Sequence, residues 1–395
     1  MGENSLELLG LAAALINNHR TKKALRRLQQ ENMANQGITH YQPSQIEAFF
    51  EDGEQLGNMA FSGGENGHRV RSIVRTIECA CIQGYGVVVL HCANQSLEQG
   101  IVHYLGSSNV SVINHSNRIY DPFWGLTNSD ISRLVLSSTS KGYEINAPGR
   151  YYLDGISDFI RAKKLQPYCQ MYIGCPHLTL IDKVNDAETK GIISSNEARI
   201  IISEIMQGEI ERGNIERFFT NFSMQSGAVL SAKADLCRAT NIGITIGQNR
   251  IFMIDVLSNT NSLLINMLIN EVGSLLSRGY RVLFVVDNIQ LLSSEALQAL
   301  NERSGSGCCL VFSSDDVYAS FGGNDNAFFS FIGKASKAVI SKHSSAYSCQ
   351  KWSDIIGSYD KHEISNTYAQ NTNYFGRWGL GSTQSANVNV KRENI

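Results

Sequence analysis

A glycine-rich loop at residues 62–67 lies between a short apolar segment that begins at Met59 and an amphipathic helix predicted over residues 68–83. A continuous apolar run, Gly86–Cys92, follows the helix and is typical of a buried strand. A strand, a loop, a helix and a second strand in this order form the basic unit of a parallel sheet. The sequence therefore predicts an α/β fold with a mainly parallel, twisted sheet.

The same alternation continues along the chain, with one interruption. Further strands are predicted at residues 110–113, 250–256, 281–286 and 308–313, and helices at 97–105, at 263–276 and from residue 294. The block 129–222 lacks β-branched runs and is predicted to be mainly helical, above all at 197–219. The predicted domains are an N-terminal helical and basic segment (1–58), a nucleotide-binding-type core (59–128 and 223–364), an inserted all-α domain (129–222) and a polar tail (365–395), which is left open as an edge strand or disordered.

Composition limits the classes of function. The chain is 43% hydrophobic and 18% charged with a formal net charge of -2, so no overall basic field favours nonspecific nucleic-acid binding. The odd number of cysteines, nine, with several in apolar runs, favours a reducing compartment. Cys169, Cys175 and His177 have a spacing that does not match common zinc motifs.

The N-terminal segment contains an apolar run, Leu6–Ile16, followed by basic residues between His19 and Arg27. The run is shorter than the roughly 20 residues that span a bilayer. The basic cluster fits the cytoplasmic exit of a membrane helix, a helix that docks on a partner, or an amphipathic surface helix. All three explanations stay open from the sequence.

The loop occupies the place of a GxxxxGK[ST] phosphate loop, but most of its residues differ. Aligned on Gly67, Ser62 replaces the first glycine, His68 replaces the lysine, and Arg69 replaces the magnesium-binding hydroxyl residue. A helix N-terminus attracts anions, and Arg71 and Arg75 follow closely, so phosphate binding stays open beside the alternative of a simple glycine-rich turn. The candidate nucleotide-binding residues are Ser62, Gly63, Gly64, Asn66, Gly67, His68 and Arg69.

A second motif is the apolar run from Arg281 that ends in Asp287 and Asn288. An acid at the end of such a strand is typical of a Walker B segment, in which Asp287 would help to hold magnesium if nucleotide binds. The next position usually carries a glutamate that activates water, and the amide of Asn288 cannot accept that proton. Two motifs in the correct order favour a P-loop domain over chance.

These residues resemble the TraG/TraD-type coupling proteins of conjugation and type IV secretion, within the FtsK/HerA branch of RecA-like motor ATPases. The resemblance covers residues 60–392 and includes Ile119–Leu126, similar to a segment that precedes the family's all-α domain. It also includes Leu310–Val317, in which Asp315 stands at the position of a sensor glutamine, and Trp352–Tyr359 after the last sensor strand.

The resemblance implies a RecA-like P-loop fold, ATP with magnesium as cofactor, and a hexamer-type assembly on the cytoplasmic face of the bacterial inner membrane. It implies as partners other type IV secretion or conjugation subunits, DNA or protein substrates, and a catalytically intact paralogue. This chain departs from the family at His68, Arg69, Asn288 and Asp315. The expectation is therefore a degenerate, pseudo-ATPase subunit at that membrane face.

Two alternatives stay open. The first is an active ATP-driven translocation motor with non-standard motifs, which would need a lysine from elsewhere in the chain or from a neighbouring subunit, because only arginines lie close to the loop. The second is a nucleotide-independent adaptor that binds effectors through the inserted helices. An aromatic-rich stretch could form its surface, although aromatic residues are more often buried; it consists of Tyr151, Tyr152, Phe159, Tyr168 and Tyr172.

Overall fold

The computed structural model describes residues 56–139, 144–256, 262–288, 292, 294–303, 307–356, 358–369 and 383–394. The predictions for residues 1–55, including the apolar run and the basic cluster, lie outside these residues. The chain divides into two compact units, 1–341 and 342–395.

A seven-stranded parallel sheet forms the centre of the first unit. Its strands are β1 (Asn58–Ser62), β2 (Gly86–His91), β3 (Val110–Ile113), β4 (Ile251–Asp255), β5 (Val282–Asp287), β6 (Cys308–Ser314) and β7 (Ala335–Ile340). Strands β1, β4, β5 and β6 are buried along their whole length, as expected where helices cover both faces of a parallel sheet.

The strand order is β3-β4-β2-β5-β6-β1-β7. Strand β6 thus lies between β1, which leads into the glycine-rich loop, and β5, which ends at Asp287. Because all strands run the same way, the loop, Asp287 and Asp315 emerge at one edge of the sheet. The predicted α/β fold with a mainly parallel sheet is confirmed.

Helices pack on both faces of this sheet. They include α1 (Asn66–Ile82) and α2 (Gln95–Leu105) before the inserted segment. Helix α1 buries Ile73, Ile77 and Ala80 against the sheet, at the three- and four-residue spacing of a helical face.

The segment between β3 and β4 contains helices and no strand among its described residues. These are α3 (Asn128–Ser138), α4 (Gly149–Ala162), α5 (Cys169–Ile173), α6 (Leu180–Thr189), α7 (Ser195–Gly208), α8 (Arg212–Ser226) and α9 (Ile242–Gly247), with short 3-10 turns at 177–179, 209–211 and 233–238. After β4 follow α10 (Ser262–Ser277), α11 (Ser294–Arg303), α12 (Val317–Ser320) and α13 (Asp325–Ile332). An all-α domain at 129–222 stays a prediction, since these helices belong to the same compact unit as the sheet.

The aromatic-rich stretch is mostly core. Tyr152, Phe159, Tyr168 and Tyr172 are buried, and only Tyr151 is exposed. Tyr172 packs edge-on against Phe123 at 5.0 Å and next to Phe219 at 5.6 Å between ring centroids. The suggestion that this stretch forms a binding surface is therefore wrong for four of its five residues, because they supply the apolar centre of the helices.

The second unit contains α14 (Ala346–Ile356) and an antiparallel pair, β8 (Ser358–Ala369) and β9 (Thr383–Asn394). The pair forms a separate two-stranded sheet with Ser358 opposite Asn394. The tail predicted from residue 365 thus includes a strand, which pairs with β8 instead of joining the edge of the main sheet. No described helix has the length and apolar character needed to cross a membrane.

Candidate functional site

The glycine-rich loop is short and tied to neighbouring strands. It leaves β1 at Ser62, and Gly63 and Gly64 have φ values of 81° and 70°, the left-handed region that glycine tolerates. A Cβ on Gly64 would lie 2.7 Å from Cβ of Ser341, so the position has no room for a side chain. The N–H of Gly63 donates to the carbonyl of Ser314 at 3.1 Å. This loop amide is therefore engaged by β6.

Ser62, aligned with the first glycine of a phosphate loop, is used for internal bonds. Its Oγ accepts from the N–H of Val317 at 3.0 Å, and its carbonyl accepts from the N–H of Ser341 at 2.8 Å. The residue is buried. It joins β1 to the segments that follow β6 and β7.

Arg69 turns back onto the loop that precedes it. Its Nη1 donates to the carbonyls of Gly63 at 3.2 Å and Gly64 at 2.9 Å, and its Nη2 forms an ion pair with Asp315. Arg69 is 9% exposed, whereas the Asp315 side chain is 87% exposed. The guanidinium therefore links the loop to the end of β6, and its Nη1 is occupied by loop carbonyls.

The first turn of α1 faces solvent. Gly67 and His68 are exposed, and Glu65, at the N-cap position, makes no side-chain capping bond. Arg71 is exposed, and Arg75 pairs with Glu78 at 2.6 Å. The described residues place no lysine or hydroxyl at the two positions where a phosphate loop carries them.

Asn94 is a site residue that the sequence analysis missed. Its Nδ2 lies 2.6 Å from Oδ2 of Asp287 and 3.2 Å from Oδ1 of Asn66, and the Nδ2 of Asn66 donates back to its Oδ1 at 3.1 Å. The same Oδ1 caps α2 by accepting from the N–H of Leu97 at 3.1 Å. An asparagine three residues before the first apolar position of a helix is a capping signal, but its link to Asp287 is tertiary.

The adjoining strand ends carry further polar groups. Oδ1 of Asp255, at the end of β4, accepts from the N–H of Ala93 at 2.9 Å, which holds Ala93 at a φ of 50°. His91 is buried, its ring nitrogens have no hydrogen-bond partner among the described residues, and burial lowers its pKa. The turn after β2 is thus held by Asp255 of β4, which accepts from Ala93, and by Asp287 of β5, which accepts from Asn94.

Asn288, at the predicted position of the catalytic glutamate, has a left-handed backbone with a φ of 73°. Its N–H donates to the carbonyl of Ser313 at 2.6 Å, and its side chain is exposed. Asp287 beside it is 6% exposed and bonded to Asn94. The structure therefore brings the loop, Asp287 and Asp315 to one edge, and places no general base at 288.

The segment before the inserted helices connects them to the core. The buried carboxylate of Asp121 accepts from the N–H groups of Phe123 at 2.9 Å and Cys169 at 3.0 Å. Burial raises its pKa to about 6, although these bonds act in the opposite direction. Its neighbour Tyr120 donates its hydroxyl to Glu271 of α10. The segment therefore contacts both Cys169, at the start of α5, and Glu271 of α10.

No group of three or more His, Cys, Asp or Glu side chains in the described ranges is arranged to hold a metal ion. Cys169 is buried at the start of α5, and Nδ1 of His177 lies 3.2 Å from the hydroxyl of Tyr152. Asp287 is the residue at which magnesium was expected, and its Oδ2 already accepts from Asn94.

No protein-family model matches the sequence, and no curated protein matches it. Solved structures with a similar fold include the bacterial conjugative coupling protein TrwBdeltaN70 in an unbound monoclinic form, with a TM-score of 0.45, 10% identity, and coverage of 90% of this chain and 84% of that chain. Its trigonal form in complex with sulphate gives a TM-score of 0.44, 11% identity, and coverage of 85% and 78%. VirB4 of Thermoanaerobacter pseudethanolicus gives 0.42, 12% identity, and coverage of 76% and 80%.

Proposed function

We propose that this chain is a pseudo-ATPase subunit of the coupling-protein kind, which scaffolds a type IV secretion or conjugation apparatus without using ATP. The observation that carries the proposal is the position of Arg69, whose guanidinium binds the carbonyls of Gly63 and Gly64 and pairs with Asp315. In a working motor, the γ-phosphate and magnesium connect the phosphate loop to the other strand ends. Here a side chain of the protein makes such a connection.

The charges at the site support this proposal. Magnesium is held by oxygen ligands, and a guanidinium has only donors, so Arg69 cannot replace the hydroxyl that binds the ion. With His68 in place of lysine and Asn288 in place of glutamate, the chain lacks the cation and the base of phosphoryl transfer. The residues present do not fit a magnesium nucleotide.

The fold does not depend on nucleotide in this proposal, because the loop, β6 and Asp287 are held by protein contacts alone. Such a subunit would fill a position in a hexamer-type assembly at the cytoplasmic face of the inner membrane. There it would recruit DNA or protein substrates beside a catalytically intact paralogue. These partners follow from the coupling-protein resemblance.

The test is calorimetric titration of magnesium ATP into three proteins: the wild type, a loop variant with His68→Lys and Arg69→Thr, and a control with His68→Lys and Arg71→Thr. The control has the same change of charge but keeps the Arg69 contacts, since Arg71 is exposed on α1. We expect no binding by the wild type or the control, and measurable binding by the loop variant. Micromolar binding with hydrolysis by the wild type would contradict the proposal and support the active motor.

The nucleotide-independent adaptor is favoured by a different observation. Four large apolar side chains in the inserted segment are strongly exposed: Leu178 at 78%, Met206 at 65%, Ile210 at 81% and Met224 at 79%. Met206 lies in the last turn of α7, and Ile210 lies in the 3-10 turn that follows it, so the two exposed side chains are close in the chain. A contiguous apolar patch that several such side chains form together is typical of a protein interaction site.

An adaptor variant with Met206→Glu and Ile210→Glu tests this second function. We expect it to lose at least about tenfold in affinity for proteins secreted by the same apparatus, because buried apolar anchors dominate such contacts. Arg199→Glu on α7, also exposed, is the control for added negative charge. Equal binding by the wild type and the adaptor variant would contradict the adaptor function.

A further inference from the structure

A cleft of about 340 Å³ opens between the first inserted helix and the core, away from the glycine-rich loop. Helices α3 and α10 form its walls, with Arg303 at the end of α11. Three arginines line the cleft, namely Arg133, Arg278 and Arg303, together with apolar side chains such as Leu126, Leu134 and Leu275. A cavity of this size is at the lower end of those that hold small molecules.

Arg303 is the unusual group in this cleft. Its Nη2 donates to Oδ1 of Asn270 at 2.9 Å, but its buried Nη1 has no hydrogen-bond partner among the described residues. A charged group that is buried with an unsatisfied donor is unfavourable unless an anion or another acceptor completes it. The cleft therefore contains a guanidinium with one buried nitrogen that donates to no described residue.

Gly273 makes the position of this guanidinium possible. A Cβ at residue 273 would lie 3.0 Å from Nε and 3.2 Å from Nη2 of Arg303. Because glycine has no side chain, the guanidinium can lie directly over α10. Arg278 and Arg303 also lie at helix C-termini, where cations are favoured. The helix dipole explains their placement but supplies no direct partner for Nη1.

The charges in the cleft do not balance. Asp130 pairs with Arg133 at 2.6 Å and with Arg278 at 3.4 Å, so one carboxylate serves two cations. The other acid in the lining is Glu271, and burial raises its pKa to about 8, so it is mostly protonated at neutral pH. Among the side chains that line this partly apolar cleft, three guanidinium groups therefore accompany one ionised carboxylate, and Glu302, beside Arg303 in the chain, also acts electrostatically on that arginine.

We propose that this cleft binds a small organic anion, with a phosphate or carboxylate group on Arg303 and Arg278 and an apolar part against the leucines. Arginine suits both groups because its planar donors match two oxygens at once. The site joins the first inserted helix to the core, so its occupancy would stabilise that junction. The inference rests on Arg303 and is independent of any nucleotide chemistry at the loop.

Calorimetric titrations of the full chain with inorganic phosphate and with citrate, in chloride buffer at constant ionic strength, test this site. We expect saturable binding of at least one probe. The affinity should fall about tenfold or more in Arg303→Gln, because a charged hydrogen bond to the anion is lost. Arg199→Gln, an exposed arginine on α7, should bind like the wild type. The probe that binds distinguishes a phosphate-bearing from a carboxylate-bearing ligand.

The inference is overturned if neither probe binds saturably, or if Arg303→Gln binds as well as the wild type. Circular dichroism shows whether Arg303→Gln folds. If it does not, Arg278→Gln decides the question: a severalfold loss of affinity supports the site, and an unchanged affinity overturns it. If Arg303→Gln loses phosphate or citrate binding while the loop variant (His68→Lys and Arg69→Thr) binds these two probes like the wild type, the result concerns the cleft alone and is separate from the outcome of the ATP titrations.

Discussion

The side chain of Asn94 donates to the carboxylate of Asp287 at 2.6 Å, although Asn94 is the N-cap residue of α2 and Asp287 ends β5. The same amide group exchanges hydrogen bonds with Asn66 in the first turn of α1. One asparagine therefore connects the helix after the glycine-rich loop to the acid of the second motif. It does so with protein groups alone, at the sheet edge where a motor would place nucleotide and magnesium.

Asn94→Ala should lower the free energy of unfolding by about 2–3 kcal/mol, because it removes a helix cap and leaves the buried Asp287 carboxylate without its donor. Urea unfolding followed by circular dichroism measures the change. The control is Asn324→Ala, since Asn324 caps α13 through the N–H of Ala327 at 3.1 Å. Its loss should be about 1 kcal/mol. Equal losses in the two variants would show that the contact with Asp287 adds nothing.

The sequence predicted the sheet well because its strands have local signals. β2 was predicted at 86–92 and observed at Gly86–His91, and β3 was predicted and observed at residues 110–113. The apolar runs are long, and turns or helices with clear polar faces separate them. Asp287 and Asn288 were placed correctly at the end of β5 for the same reason.

The contacts of the site could not be predicted, because they depend on strand order. Arg69 meets Asp315 since β6 lies beside β1, and Asn94 meets Asp287 since β5 lies beside β2. No local pattern specifies these neighbours. The left-handed backbone conformation of Ala93 could not be predicted either, because alanine rarely adopts it.

Glu271→Gln should flatten the dependence of stability on pH. Burial raises the folded-state pKa of Glu271 from 4.5 to about 8, so the folded state holds its proton more tightly. Stability from this group is present below pH 4.5 and lost as the pH rises through about 8. The amide imitates the protonated acid: its oxygen can accept from the N–H of Ile242, and its NH₂ can donate to the hydroxyl oxygen of Tyr120, which reverses the bond that Tyr120 donates to the carboxylate.

We therefore expect Glu271→Gln to match the wild type near pH 5 and to exceed it by at least about 2 kcal/mol at pH 9. Urea unfolding across this range measures the difference. Asp186→Asn, at an exposed position on α6, should leave the pH dependence unchanged. A Glu271→Gln protein that loses stability with pH as steeply as the wild type would show that Glu271 ionises normally.

Gly208→Ala tests the close packing of the inserted helices α4 and α7. A Cβ at residue 208 would lie 2.4 Å from the backbone nitrogen of Tyr152 and 2.8 Å from the carbonyl of Pro148, so the helices must separate. We expect the free energy of unfolding to fall by about 1–3 kcal/mol, as for other overpacked sites.

The control is Gly213→Ala in α8, where a Cβ meets nothing within 4 Å. It should gain up to about 1 kcal/mol, because alanine favours helix. Thermal unfolding that ranks the two variants equally would contradict the packing argument.

Substitutions at Asn288, where a Walker B segment usually carries a glutamate, test the backbone conformation separately from the side-chain chemistry. With a φ of 73°, the residue has a conformation that asparagine and glycine tolerate and glutamate does not. Asn288→Glu should therefore lower stability by about 1–2 kcal/mol, whereas Asn288→Gly should stay within about 0.5 kcal/mol of the wild type. Urea unfolding of both variants measures these changes. If Asn288→Glu is as stable as Asn288→Gly, the backbone at this position accommodates glutamate, and residue 288 differs from that of a motor in its side chain alone. If the predicted loss is found, restoring the glutamate also requires a change in the path of the chain after β5, so the departure from a motor includes the backbone as well as the side chains.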